Sequence, residues 1–269
     1  MDPRRARQIL YSSLYIATLL LIAAGLYFLW FKPAPSCFDN RQNQGEVGVD
    51  CGGPCTACEI KTLLPFRASL RYFGDTADRT LVTAEIQNPN PNYGAADFTY
   101  TVNLYGPNNL LIRNIIGKSF IHSGKTKYLI ESIEVNYRNI ERAEIAFSNL
   151  QWKSKEEFAE PVIQIRDVKT AVSDQNQVIT VSGFIANNNP FPLIKVRIVA
   201  FLANQLKIDI SASKTELDNA AAFEEKFFSI FFPKDITLIQ TPTSTSPVTA
   251  PRFSDADPEK TKVYVEAIR

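Results

Sequence analysis

The sequence predicts an all-β protein, two tandem antiparallel β-sandwiches carried behind an N-terminal transmembrane helix and a small Cys-rich module. Three observations predict it. Residues 9–31 run 23 positions without a charged side chain. All four Cys fall within Cys37–Cys58. Beyond Cys58, apolar and polar residues alternate with period two, and the pattern recurs roughly 100 residues later. The expected division is a cytoplasmic N-terminus at 1–8, the helix at 9–31, a spacer and Cys-rich module at 32–59, a first sandwich at 60–155 and a second at 156–269. Lys and Arg total 29 against 28 Asp and Glu, a balance that excludes the basic surface of a nucleic-acid binder.

The apolar run is long enough to cross the ~30 Å hydrocarbon core as a helix. Tyr11, Tyr15, Tyr27 and Trp30 lie near its ends, where amphipathic rings suit the headgroup layer. Arg4, Arg5 and Arg7 precede it and only Lys32 follows closely, so the positive-inside rule puts the N-terminus in the cytoplasm and the remainder outside the cell. A cleaved signal peptide shares the basic start, but its apolar core is shorter, and Ala34-Pro35-Ser36 is a poor cleavage site. The expectation is an uncleaved single-pass anchor, with membrane lipid as its partner and Lys32-Pro33-Ala34-Pro35 as a stiff spacer.

An even number of clustered Cys outside the membrane predicts two disulfides among Cys37, Cys51, Cys55 and Cys58, cross-links that replace the core so short a segment lacks. Three pairings can be drawn, and spacing does not choose among them. A zinc site is disfavoured because only one Cys-x-x-Cys pair, Cys55 and Cys58, is present. Asp39, Asn43, Glu46 and Asp50 supply oxygens suited to calcium, but turn formation in a small solvated loop is the favoured account of them, because the spacing is not that of an EF-hand loop. No other cofactor is expected. The string Asn43-Gln-Gly-Glu46-Val-Gly-Val-Asp50-Cys51-Gly-Gly-Pro-Cys55 resembles the Asp-Cys-Gly-Gly-x-Cys module of secreted and surface proteins of bacteria and archaea. The resemblance implies an extracytoplasmic spacer or cap.

The alternation continues in Phe98, Tyr100, Val102 and Leu104, and 96 residues later in Ile194, Val196, Ile198 and Ala200. Upstream, Val82, Ala84, Ile86 and Asn88 correspond to Val181, Gly183, Ile185 and Asn187 at an offset of 99. The change of offset falls in the loops Asn88-Pro-Asn-Pro-Asn and Asn187-Asn-Asn-Pro-Phe-Pro, where length is expected to vary cheaply. The pattern marks a duplicated β domain, with Pro65 and Pro161 opening the first strands and Lys153–Glu160 as the junction. Strand, Asn/Pro loop, alternating strand and short polar turn together resemble the immunoglobulin-like sandwiches of the late-embryogenesis-abundant group 2 type. They also resemble those of the bacterial extracellular domain named for a Phe-x-Leu-Tyr-Asp string. The matching positions are Val102-Asn-Leu104-Tyr105-Gly106 and Ile198-Val-Ala200-Phe201-Leu202, where the initial Phe and final Asp are both replaced. The resemblance implies an immunoglobulin-like fold and no shared active site.

Catalytic apparatus is scarce. His122 is the sole imidazole and is expected to be structural, since a triad or multi-His metal site needs more. Gly117-Lys-Ser119 and Gly124-Lys-Thr126 lack the upstream Gly of a phosphate-binding loop. Glu156-Glu157 and Glu224-Glu225 read as solvated pairs. Phe223, Phe227, Phe228, Ile230, Phe231 and Phe232 form a strand apolar on both faces. The simpler expectation is a central strand covered on its outer side by the first domain. The alternative is an exposed aromatic surface binding a partner through Phe223, Phe227, Phe228 and Phe231. Within the expected loop 237–258, nine of the eleven residues Thr241–Pro251 are Thr, Ser or Pro, suiting a mobile or docking segment before a last strand Lys262–Ile268. No Asn-x-Ser/Thr site occurs, which favours a prokaryotic source. The reading is a non-enzymatic, membrane-anchored protein of a prokaryotic envelope that binds an envelope or surface protein or serves an envelope assembly. The alternative is a ligand- or calcium-binding sensor at the cell surface.

Overall fold

The computed structural model describes residues 3–27, 35–76, 78–173, 178–232, 237–238 and 256–269. Two compact units divide the chain, Met1–Leu63 and Leu64–Arg269.

The first unit opens with helix α1, Pro3–Leu26, whose stretch Arg7–Leu26 has a mean hydropathy of 2.0. Its 24 residues reach about 36 Å at ~1.5 Å per residue, enough for a bilayer core. Two of its hydroxyls are satisfied internally, Ser13 donating to the Leu10 carbonyl and Thr18 to that of Leu14, as suits an apolar surround. The far end of the expected span, 28–31, lies outside the described residues.

The Cys-rich segment carries the disulfides Cys37–Cys55 and Cys51–Cys58, an interlocked pairing that resolves the three alternatives. Its chain folds through tight turns, several in the left-handed region. Gly53 sits at φ +60, and a Cβ there would overlap the Gly45 carbonyl oxygen, so the Gly-Gly pair is a steric demand of the turn.

Among the described residues the second unit contains thirteen strands. Those of the first sandwich are β1 Arg67–Thr76, β2 Arg79–Gln87, β3 Tyr93–Tyr105, β4 Leu111–Ile121, β5 Thr126–Ile133 and β6 Arg142–Ser154. The second has β7 Ile163–Ser173, β8 Val178–Asn187, β9 Leu193–Ala203, β10 Asp209–Ala220, β11 Glu225–Phe232 and β13 Lys262–Ile268. The two-residue β12, Thr237–Leu238, follows β11 in sequence. Every ladder is antiparallel, and the sheet orders are β12-β1-β2-β5, β4-β3-β6, β11-β8-β7 and β10-β9-β13. Renumbering β7, β8, β9, β10, β11 and β13 as β1 to β6 turns the second pair of sheets into the first. The duplication read from the sequence is therefore a repeat of topology.

Each sandwich encloses its own core. Ile86, Phe98, Leu104 and Ile121 are buried in the first, and Ile185, Ile198, Phe228 and Phe232 in the second. In β3 the alternation holds from Phe98 to Leu104 as expected. In β9 it does not, because Leu193 is buried and Ile194 is 60% exposed. Ile194 is thus a correction to the expected buried face. The predicted junction is also shorter than expected, since Lys153 and Ser154 complete β6.

The Asn/Pro loops are not spare length. Asn88 and Asn90 are buried, as are Asn187 and Asn189. In the first repeat Asn88 Oδ1 accepts from Asn90 N and Nδ2, while its own amide donates to the Tyr93 and His122 carbonyls. In the second, Asn187 Oδ1 accepts from Asn189 N and Nδ2, and its amide donates to the Phe191, Ala220 and Ala221 carbonyls. The second Asn of each pair clasps the residue next to the opening Pro, Asn90 holding Leu64 just before Pro65 and Asn189 holding Val162 just after Pro161. These braces satisfy backbone groups that water cannot reach.

The candidate interaction face

The two sandwiches meet sheet on sheet. The outer side of β5-β2-β1 presents Phe73, Leu81, Tyr128 and Ile130, and the outer side of β10-β9-β13 covers it with Val199, Phe201 and Ala212. Tyr128 packs 5.0 Å from Phe201 and 4.4 Å from Tyr264, centroid to centroid. Polar ties frame this patch. Asp209 joins Arg71 of the first sandwich to Lys262 of the second, each at 2.7 Å, and the Lys214 ammonium donates to the Ile130 carbonyl. Lys127 is almost wholly buried and lies 2.5 Å from Glu266, which also receives Arg197 at 3.1 Å. Burial pushes the Lys127 ammonium down to about 8, against the pull of Glu266. In addition, β12 pairs with β1, so the strand after β11 extends the first sandwich's sheet.

Superposing the repeats by ladder register identifies the counterpart of this covered face. Glu85 opposite Tyr128 corresponds to Phe184 opposite Phe227, and Leu81 opposite Ser132 corresponds to Thr180 opposite Phe231. The outer side of β11-β8-β7 is therefore the same face in the second repeat, and no described residue covers it. Phe227 is 57% exposed and Phe231 63%, with Phe184 edge-on to Phe227 at 5.5 Å. Phe223, at 71% exposure, stands in the turn before β11.

Two sequence expectations are corrected here. The aromatic strand is an edge strand and not a central one, and the first domain covers β9 instead. Phe228 is 1% exposed and belongs to the core, so of the four candidate partner-binding residues only Phe223, Phe227 and Phe231 reach the surface. The outer edge of β11 is nonetheless guarded, because Ser213 Oγ on β10 donates to the Phe231 carbonyl. The aromatic face, not the strand edge, is what the second sandwich offers. The segment Thr241–Pro251 lies outside the described residues, as does most of the expected loop 237–258.

Sequence reasoning missed the role of β9. Its run from Ile198 to Ala203 is buried on both sides, and the signal was present, since Val199 and Phe201 occupy the positions that should be polar. The Lys127–Glu266 pair gave no such signal, being two ordinary charges 139 residues apart.

A groove between the sandwiches, about 830 Å³ in volume, is walled by Phe120, His122 and Phe158 on one side and Phe191, Arg197 and Arg269 on the other. His122 stacks on Phe158 at 4.3 Å. Burial lowers its pKa and keeps the ring neutral, so Nδ1–H is assigned as donating to the Phe158 carbonyl at 3.3 Å. Nε2 is then a buried acceptor with no hydrogen-bond partner among the described residues.

The oxygens of the Cys-rich module are engaged with its own backbone. Asp50 accepts from the Asp39 and Asn40 amides, and Glu46, 6% exposed, accepts from those of Asn43 and Asp50. Asp39 takes the Asn43 side-chain amide, a hydrogen bond that holds its carboxyl below the ordinary value. Cys37, Glu46 and Cys55 also bring their ligand atoms within 4.8 Å, but both sulfurs are bound in the disulfide and are not thiolates.

Comparison with known proteins adds little. No protein-family profile matches the chain, and no curated protein does. Among solved structures, a transglutaminase of red sea bream aligns at 12% identity and a TM-score of 0.21, over 77% of this chain and 32% of that one. This chain thus spans about a third of that protein's length, and a TM-score so low does not establish a common fold. The molecule is defined by its own features: an apolar N-terminal helix, a disulfide-bonded module, and tandem antiparallel sandwiches with one face covered and its counterpart left uncovered by the described residues. The helix and the disulfides are compatible with a membrane-anchored or secreted protein.

Proposed function

We propose that the chain is a membrane-anchored, extracytoplasmic and non-enzymatic protein of a prokaryotic envelope, whose tandem sandwiches bind another protein or support an envelope assembly. The observation that carries this reading is the bare aromatic face of β11-β8-β7. Contiguous exposed aromatic surface marks interaction sites, and the matching face of the first sandwich is already a docking surface. Supporting it are the basic residues Arg4, Arg5 and Arg7 at the start of α1, which by the positive-inside rule favour an inward N-terminus, and the disulfides, which suit an oxidising compartment. The likeness to the Asp-Cys-Gly-Gly-x-Cys module and to the late-embryogenesis-abundant group 2 or Phe-x-Leu-Tyr-Asp type of domain points the same way.

The test is chemical cross-linking in intact native membranes, followed by mass spectrometry of the products and of the intact chain. Links from the Phe223–Phe232 region to an envelope protein, on a chain that retains its helix, are the expected result. An absence of such links, together with turnover of a substrate by the purified protein, overturns the reading.

A second reading, a ligand-binding sensor, is favoured by one observation, the unpartnered His122 Nε2 beside the groove between the sandwiches. The module at Cys37–Cys58 is the calcium version of that reading, with Asp39, Asn43, Glu46 and Asp50 as the oxygen donors. Calorimetric titration with calcium separates this version from the first reading. Binding heat and a raised melting temperature support it, and their absence removes it.

A further inference from the structure

The ladder registers fix what stands beside what on the outer side of β11-β8-β7. One row across the sheet is Arg166, Phe184 and Phe227, and another is Ala171, Thr180 and Phe231. Ser182 lies on the middle strand between these rows, while Gln164 and Glu225 sit on the two edge strands at a common level. The row through Ser182 is Lys169, Ser182 and Ser229, so the face is lopsided, with bulky rings along β11 and two cations and the small Ala171 along β7.

We infer that this face docks on the same face of a second copy of the chain, through a two-fold axis running along β8. This rests on the proposed interaction role of the face and names its partner. Such an axis exchanges the two edges, laying β11 of each copy over β7 of the other. Every row then faces itself in reverse order. The Arg166 guanidinium, which within one copy already reaches Gln164 and, at 3.4 Å, Glu225, meets the ring of Phe227. Lys169 meets Ser229, the small Ala171 receives Phe231, the Gln164 amide faces the Glu225 carboxylate, and Phe184 meets its own image.

Two further observations favour a copy of this chain over an unrelated partner. The equivalent face of the first sandwich is already sealed by a sheet of this same chain, there the unlike sheet β10-β9-β13, so a surface of this chain does fit a face of this kind. Phe223, Phe227 and Phe231 also leave roughly 400 Å² of ring surface bare, at ~200 Å² per Phe. That is about half of the ~800 Å² that each side of a stable interface buries, and the remainder of the sheet face supplies the rest. Copies anchored in one membrane meet at a raised effective concentration, which lowers the affinity such a dimer needs.

The experiment uses the full chain in its own membrane. Ser182→Cys places a thiol at the axis and Thr99→Cys places one on the outer side of β3, away from it. Mild oxidation is expected to convert Ser182→Cys to a covalent dimer at least tenfold more efficiently than Thr99→Cys. Adding Phe227→Ser and Phe231→Ser should abolish that gain while leaving protease resistance unchanged. Equal yields from the two thiols overturn the second-copy assignment. A photo-cross-linker at position 182 then separates the two levels of the argument. Adducts with a single different protein leave the interaction role standing without self-docking, and no adduct at all removes both.

Discussion

The two sandwiches share strand order, ladder register and Asn braces, yet their equivalent outer faces meet different fates. In the first, Tyr128 and Ile130 on β5 are sealed beneath β9 of the second. In the second, Phe227 and Phe231 on β11 face outward, Phe227 at the very position of Tyr128. The repeat presents one docking face twice, and among the described residues only one copy of it is covered. The difference teaches that exposure here follows from position in the tandem and not from the residue type, since aromatic side chains stand at this position in both repeats.

The sharpest way to break the comparison is to truncate one ring on each face. Phe201, 3% exposed, fills the covered interface, and Phe201→Ala is expected to cost about 3–5 kcal/mol in denaturant unfolding of the full chain in detergent. Phe227→Ser on the bare face should change stability by no more than about 0.5 kcal/mol. Comparable losses at the two positions would mean that the second face is covered after all.

Next in size are the braces, where the repeats should behave alike. Asn187→Ala deprives the Phe191, Ala220 and Ala221 carbonyls and the Asn189 amide of a partner, and Asn88→Ala does the same to the Tyr93 and His122 carbonyls and the Asn90 amide. Each substitution is expected to cost about 3 kcal/mol, because several buried polar groups lose their bonds together. A loss confined to one repeat would show that the two loops are not equivalent in energy, whatever their geometry.

The parts legible in the sequence were those written in local pattern. The apolar helix, the last strand Lys262–Ile268 and the repeat itself all follow from periodicity within a short window. What escaped was written in relations between distant segments. That β9 and not β11 lies under the neighbouring domain depends on how two sheets dock, and a strand apolar on both sides reads alike whether its outer face is covered or bare. The Asn braces looked like turn residues because Asn favours turns anyway, and nothing local distinguishes an amide that spans the end of a sandwich from one that merely tolerates a loop. Disulfide pairing was open for the same reason, since four Cys within one short segment fit every connectivity.

The equivalent lysines Lys127 and Lys226 sharpen the contrast through pH. Lys226 caps the Asp218 and Asn219 carbonyls near the surface, whereas Lys127 is buried against Glu266 with its pKa brought down from 10.5 to about 8. Between those values the unfolded chain holds a proton that the folded chain has released, so the Lys127 contribution to stability grows as pH rises through the window. It is lost again as pH falls toward 8. Unfolding free energy is expected to climb by about 2 kcal/mol between pH 8 and 10 from this group, at ~1.4 kcal/mol per unit. Above pH 10 the buried phenols of Tyr100 and Tyr128, both raised by burial, act in the opposite sense. In Lys127→Met the rise should vanish, and in Lys226→Met it should persist. A slope unaffected by Lys127→Met would place its origin elsewhere.

The smallest effect lies in the turns that lead into β5 and β11. Both close with the amide of the fourth residue on the carbonyl of the first, Lys125 on His122 and Glu224 on Ala221, and both hold the third residue in the left-handed region. In the first repeat that residue is Gly124 at φ +64, and in the second it is Phe223 at φ +60. A bulky side chain is strained there, and Phe223 is too exposed for burial to offset the strain. Gly124→Ala should therefore cost about 1 kcal/mol, although a Cβ at that point would meet its nearest neighbour at an ordinary 3.6 Å. Phe223→Gly should do the reverse and stabilise the chain by somewhat under 1 kcal/mol. If the bare face binds a partner, the same substitution also removes a ring from its rim and weakens capture in membranes. A variant that gains stability and loses partner capture would show that the ring is retained against the preference of the backbone, for what it touches outside the fold. A variant that gains stability and binds as before would reduce Phe223 to a tolerated defect of the second repeat.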